Sequence, residues 1–190
     1  MDDFLSRFFP SGETPWYRRE LLGPFSPFGA SAIVAEKAMT GLPPEPRIQT
    51  RLKVYYFDTD AAGVVHNVAY LRLVEVARSE LAEKLGWSLG EMGRSGIVPV
   101  LVRTEIDYLR PARLGEGLLI ESQLARLERL RFVIESSVQK EGEPALLVRC
   151  RQTLVTVRLA DGRPQAVPQS WVQAYPHLVA SRSGSNPEQA

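Results

Sequence analysis

Asp58-Thr59-Asp60-Ala61-Ala62-Gly63-Val64-Val65-His66-Asn67 carries two carboxylates through a turn of small residues into the start of a long helical pattern. Upstream, residues 51–57 (Arg-Leu-Lys-Val-Tyr-Tyr-Phe) favour β-branched and aromatic types and lack Gly and Pro, which predicts a strand. Downstream, the pattern from Val68 runs to Gly86, a C-cap glycine after a basic last turn. Tyr70, Val74, Ala77, Leu81 and Leu85 form one stripe at helical spacing, and Val68, Leu71, Leu73 and Val76 widen it over the first half, so the helix is expected to be buried nearly all round. A carboxylate beside a helix start is useful chemically, because the first turn has unpaired N–H groups and the positive end of the macrodipole. Such a place can hold a carbonyl oxygen that is becoming an oxyanion. Asp60 lies seven residues before Asn67, too far to cap that helix, a task His66 or Asn67 can fill instead. Its carboxylate is expected to be free. The plain alternative is that Asp58 and Asp60 only close an Asx-type turn with Gly63 at the bend.

The chain as a whole excludes several classes. Its 190 residues suit one domain with extensions, and 44% hydrophobic content supports a real core. With 23 Lys+Arg against 22 Asp+Glu, net charge is +1, which gives no global case for nucleic acid or an acidic membrane surface. Cys150, the single cysteine, sits in an apolar strand pattern and reads as a packing thiol in a reducing compartment. No apolar run approaches the roughly 18 to 20 residues of a membrane span, and Asp2 and Asp3 oppose a secretory signal, so a cytoplasmic protein with no membrane partner is expected.

Three parts follow in order. Residues 1–46 hold five of the seven Phe and seven of the fourteen Pro, which predicts an extension packed against the body or a neighbouring subunit, with a short helix over residues 31–39. Residues 47–160 form the domain proper. After the central helix, residues 87–94 read as a short helix or turn leaving at Gly93 and Gly96. In residues 98–110, Val98, Val100, Val102, Thr104, Ile106 and Tyr108 alternate with other types, a strand with one apolar face ended by Pro111. Residues 117–127, 131–140 and 145–159 are three more strands, the first two joined by a tight turn at Glu128-Arg129-Leu130. Residues 161–190 comprise a turn, a short helix over 168–179 that packs back, and a frayed tail from 181. Four strands in succession with short connections must be largely antiparallel. One long apolar helix with a single sheet to cover it implies an α+β fold in which a curved antiparallel sheet wraps that helix.

Strand, Asp-Thr-Asp-Ala-Ala-Gly-Val-Val-His-Asn-Val-Ala-Tyr-Leu, then Glu75-Val-Ala-Arg78, resembles the hotdog-fold acyl-CoA thioesterases of the 4-hydroxybenzoyl-CoA thioesterase family over residues 48–158. The resemblance implies that Asp60 is the catalytic carboxylate, as nucleophile or as general base for water, and that the Asn67 N–H polarises the thioester carbonyl. His66 joins that set with its role open. Asp58, Gly63, Val65, Tyr70 and Glu75 are expected around the substrate, with Asp58 structural and Glu75 and Arg78 a charge pair or interface contact. Arg129 and Arg131 are expected near the phosphates of CoA. The partners implied are an acyl-CoA substrate and further copies of the chain, as a homodimer or homotetramer, with no cofactor and no metal. A non-catalytic acyl-CoA binding module and a hotdog dehydratase or hydratase are the alternatives.

Overall fold

The computed structural model describes residues 41–180. The elements in order are strand β1 (Arg47–Lys53), a 3-10 turn (Tyr56–Asp58), helix α1 (Asn67–Lys84), helix α2 (Leu89–Ser95), strands β2 (Ile97–Tyr108), β3 (Gly117–Leu127), β4 (Arg131–Lys140) and β5 (Leu146–Arg158), helix α3 (Gln169–Ala174) and a second 3-10 turn (Pro176–Leu178). The aromatic N-terminal extension, its helix over residues 31–39 and the tail from residue 181 lie outside the described residues. Among the described residues, no helix is long and apolar enough to cross a membrane.

The strands form one sheet in the order β1-β3-β4-β5-β2, every neighbouring pair antiparallel. Short connections between β3, β4 and β5 leave no length for a crossover, so each strand returns beside its predecessor. Helix α1 lies against β1 and β3, and the α+β wrap of a hotdog fold results. Ser88 caps α2 by accepting from Glu91 N, and Gly96 ends it in the left-handed conformation. Behind α1, Gly86 takes a φ of +75°, a turn a side chain would strain, and the indole N–H of Trp171 donates to Leu85 O. Trp171 thereby closes the helix end and brings α3 onto the domain, as its apolar spacing predicts.

Two apolar clusters fill the space between helix and sheet. One gathers Tyr70, Val74 and Ala77 with Leu118, Ile120 and Val148; the other gathers Leu81 and Leu85 with Trp87, Phe132 and Trp171. Truncating Leu81 to Ala would cost about 2–5 kcal/mol. A polar layer is buried near their junction: Ser122 and Ser136 share a hydrogen bond of 2.7 Å, and Arg78 donates to Gln152.

Three expectations shift. The first strand spans Arg47–Lys53 rather than residues 51–57, because Tyr55 to Asp58 are taken into the 3-10 turn that the Asp58 side chain closes. The stripe from Tyr70 to Leu85 is buried as expected, and so is Leu73, but Val68, Leu71 and Val76 stay exposed: one sheet covers one side of the helix. In β2, a bulge between Leu101 and Arg103 breaks the period of two. Thr104, Ile106 and Tyr108 pair with Gln152, Cys150 and Val148 and keep to the helix side, whereas beyond the bulge it is Leu101 and Pro99, paired with buried Leu154 and Thr156, that share that face.

Candidate active site

The acidic stretch doubles back on itself. His66 N donates to Asp58 O at 2.8 Å, Thr59 bridges to Val65, and Asp60 N donates to Val64 O at 2.9 Å. Gly63 makes the bend with a φ of +69°. The loop is tied to the domain by Val65, a buried side chain whose N–H donates to Ala112 O at 2.8 Å. Ala112 is held in turn, since its N–H donates to the Tyr70 hydroxyl at 2.9 Å. Tyr70 is therefore a core residue with its oxygen occupied, and burial raises its pKa above the usual phenol value.

The two carboxylates have different surroundings. Asp58 is buried; it accepts from Tyr55 N at 2.9 Å through one oxygen and from Arg72 Nη2 at 2.9 Å through the other. Asp60 is exposed. Its Oδ1 accepts from Ala62 N at 2.8 Å, with Val64 N further off at 3.4 Å, which is an Asx turn. The expectation of a free carboxylate thus holds for one oxygen: Oδ2 of Asp60 has no protein hydrogen-bond partner among the described residues.

At the helix start, His66 is the N-cap and its Nδ1 accepts from Val68 N at 3.2 Å, so in this arrangement the ring proton is on Nε2. Ala69 N and Tyr70 N both turn to His66 O. The Asn67 N–H is left without a protein acceptor among the described residues, and Tyr108 donates its hydroxyl to Asn67 O at 3.3 Å. Asp60, Gly63, His66 and Asn67 are brought together on one short loop, held from behind by Asp58, Val65 and Tyr70.

The other expected residues lie elsewhere. Glu75, one face further along α1, pairs with Arg78, whose second nitrogen donates to Gln152 Oε1 at 2.9 Å. Arg129 and Arg131 sit in the β3–β4 turn, where Arg131 pairs with Glu128. Strand β3 leaves the acidic loop's end of the sheet at Gly117 and reaches that turn ten residues later, about 33 Å along. The structure does not bring these arginines to the loop of the same chain. Cys150 is buried, which pushes its thiol up to about 11, partly offset by Arg78, and leaves it no nucleophile near neutral pH. No group of three or more His, Cys, Asp or Glu is clustered for a metal among the described residues.

Three neighbours of the loop are absent from the candidate residues read in the sequence: Arg72, which holds Asp58; Tyr108, which reaches Asn67; and Ala112, which holds the loop. Arg72 is the one a pattern exposes, as a cation inside the apolar first half of α1, fourteen residues from a carboxylate.

An acidic hairpin running into the N-terminus of the helix that a five-stranded antiparallel sheet embraces defines a hotdog-fold thioesterase scaffold. Residues 55–175 match the profile of the thioesterase-like superfamily, well over half of the chain, and the chain belongs to that superfamily. It is 28% identical over 124 residues to the acyl-CoA thioester hydrolase YbgC of Escherichia coli, covering 65% of this chain and 92% of that one. Identity is also 28% over 123 residues with a 1,4-dihydroxy-2-naphthoyl-CoA hydrolase of Synechocystis, covering 64% and 89%. Among solved structures, a 1,4-dihydroxy-2-naphthoyl-CoA thioesterase from Synechocystis superposes with a TM-score of 0.63 at 26% identity, over 70% of this chain and 97% of that one.

Proposed function

We propose that this acyl-CoA thioesterase hydrolyses its substrate at the acidic loop, with the Asp60 carboxylate driving attack on the thioester carbonyl and the Asn67 N–H receiving the oxyanion. The observation that carries the reading is the pair of open groups on one folded loop: Oδ2 of Asp60, an acceptor, and the Asn67 N–H, a donor at the positive end of an 18-residue helix. In the reaction, an oxygen adds to the carbonyl carbon, either Asp60's own or that of a water whose proton Asp60 takes. The C–S bond then breaks, and CoA leaves as its thiolate. Direct attack gives an acyl-aspartyl anhydride, which the one water consumed in the reaction then opens to the free acid and the Asp60 carboxylate. A donor fixed before the reaction costs no reorganisation when charge develops, which is why a helix N-terminus suits this step.

His66 supports the reading as the cap that orients the first turn. A dehydratase requires a basic ring nitrogen facing the substrate, and Nδ1 is engaged with Val68, so that alternative finds no support at this residue. The uncovered apolar side chains of α1 and the edge strand β2, with Val100, Leu101 and Val102 exposed, support assembly as a homodimer or homotetramer. Light scattering at micromolar concentration should give at least twice the chain mass; a monomer refutes the assembly. Release of free thiol from a panel of short, long, branched and aromatic acyl-CoAs tests the activity. Turnover of at least one is expected, and none across the panel overturns the reading.

A further inference from the structure

We infer that Tyr108, the last residue of the edge strand β2, is a positioning residue for hydrolysis: its hydroxyl holds the first peptide of α1 so that the Asn67 N–H keeps its aim at the thioester carbonyl. The inference rests on the acyl-CoA reading above and goes beyond it, because it makes the oxyanion donor depend on a side chain from the sheet.

A donor on the first residue of a helix stands where the helix is weakest, since terminal turns fray. Asn67 joins two peptide groups, and both are held. His66 O, in the peptide that carries the Asn67 N–H, accepts from Ala69 N at 2.9 Å and from Tyr70 N at 3.4 Å. In the next peptide, Val68 N donates to His66 Nδ1 at 3.2 Å, and Asn67 O accepts from the Tyr108 hydroxyl at 3.3 Å. The first three of these bonds lie within residues 66–70 and tilt with the helix end as a unit. The fourth reaches that end from a strand, and so fixes its tilt against the sheet.

The hydroxyl is delivered from a fixed place. Tyr108 pairs with Val148, a wholly buried residue of β5, and the next two N–H groups, of Leu109 and Arg110, donate to Leu147 O at 2.8 and 3.1 Å. The Tyr108 ring tilts against the buried Tyr70 ring, centroids 5.8 Å apart. Packing alone does not call for an oxygen here: Tyr108 is 47% exposed, a Phe ring would make the same contact, and Asn67 O is the hydroxyl's protein partner among the described residues. Partial burial, with the Cys150 thiol a lesser cause, raises the Tyr108 pKa above the usual phenol value, so the oxygen keeps the proton that a donor needs. An oxyanion donor works only within about 0.5 Å of its productive place, which sets the worth of holding the first turn still.

The test is Tyr108→Phe, read by kinetics and by amide hydrogen exchange. One hydrogen bond of this kind is worth a factor of about 2 to 12. On the best acyl-CoA, kcat should fall by that factor while KM stays within about twofold of the parent's, because the donor is needed most in the transition state. Exchange at the amides of Val68, Ala69 and Tyr70 should quicken by a similar factor, with β3 and β4 unaffected. A role confined to stability would leave kcat unchanged at about 25 °C, where the chain stays folded. An unchanged kcat overturns the inference while the hydrolase reading stands, whether or not KM rises. So does a fall in kcat with first-turn exchange unaltered, which would put the hydroxyl on the substrate instead. If the parent hydrolyses no thioester, the hydrolase reading fails and exchange alone decides the hold: faster first-turn exchange in Tyr108→Phe supports it, and equal exchange overturns it.

Discussion

Replacing Tyr70 with Phe removes one oxygen from a buried site and nothing else. That oxygen accepts from Ala112 N at 2.9 Å, and Ala112 is wholly buried, so the N–H is left with no partner and no path to water. An orphaned buried donor costs about 1–3 kcal/mol. The ring keeps its place, including its tilted contact with Tyr108 at 5.8 Å, so no cavity term adds to this. The midpoint of urea unfolding should fall at unchanged slope, and the melting temperature should drop by roughly 2–4 °C for each kcal/mol at this chain size. Because Ala112 also accepts from Val65 N, the loosened site lies one hydrogen bond from the acidic loop, and kcat should fall modestly while KM for acyl-CoA stays near that of the parent. An unchanged midpoint would refute the pillar role. A raised KM with unchanged stability would make Tyr70 a substrate contact instead.

Other outcomes follow from the same geometry. His66→Ala removes the acceptor for Val68 N and should cost about 1 kcal/mol, most of which His66→Asn should restore because Asn is a good N-cap; equal losses in both would deny the capping role, read by chemical denaturation. Cys150 has its pKa raised by burial from 9.0 to about 11, so the unfolded chain loses this proton first: its contribution is complete below pH 9 and lost as pH rises to 11, about 3 kcal/mol in all. Burial raises Tyr70 and Tyr175 in the same sense, which steepens the decline above pH 10. Cys150→Ala should flatten the melting-temperature profile between pH 9 and 10, and an unchanged profile would contradict the assignment.

What the sequence discloses and what it hides have physical reasons. The strands β3 and β4 fall on residues 117–127 and 131–140 as read, because Gly117, the turn at 128–130 and the charged turn from Glu141 bound runs whose period nothing interrupts. The central helix is legible for the same reason, with His66 and Gly86 at its ends. The β2 faces are not, since a bulge adds a residue without changing composition. Residues 54–57 read as strand on propensity, yet the Asp58 carboxylate, by accepting from Tyr55 N, folds them into a turn; tertiary hydrogen bonding overrides local preference there. At the site, spacing alone identifies Asp60 and Asn67 as a carboxylate and a helix start. It does not disclose that one Asp60 oxygen is spent on Ala62 N, nor that Arg129 and Arg131 sit at the far end of the sheet, because both depend on how the loop and the strands are placed in space.

The central claim is that the open oxygen of Asp60 does chemistry, and Asp60→Asn isolates it. Asn retains the side-chain oxygen that accepts from Ala62 N, so the Asx turn survives, but its amide is a poor base and a far weaker nucleophile. Asp58→Asn is the comparison, a residue whose two oxygens are both occupied by Tyr55 N and Arg72. With kcat measured on the best acyl-CoA, Asp60→Asn should lose roughly 10²- to 10⁴-fold with acyl-CoA binding and stability retained, whereas Asp58→Asn should lose stability first and far less turnover. Near-normal kcat in Asp60→Asn would leave Asp60 as the turn residue its hydrogen bonds describe and would contradict the mechanism.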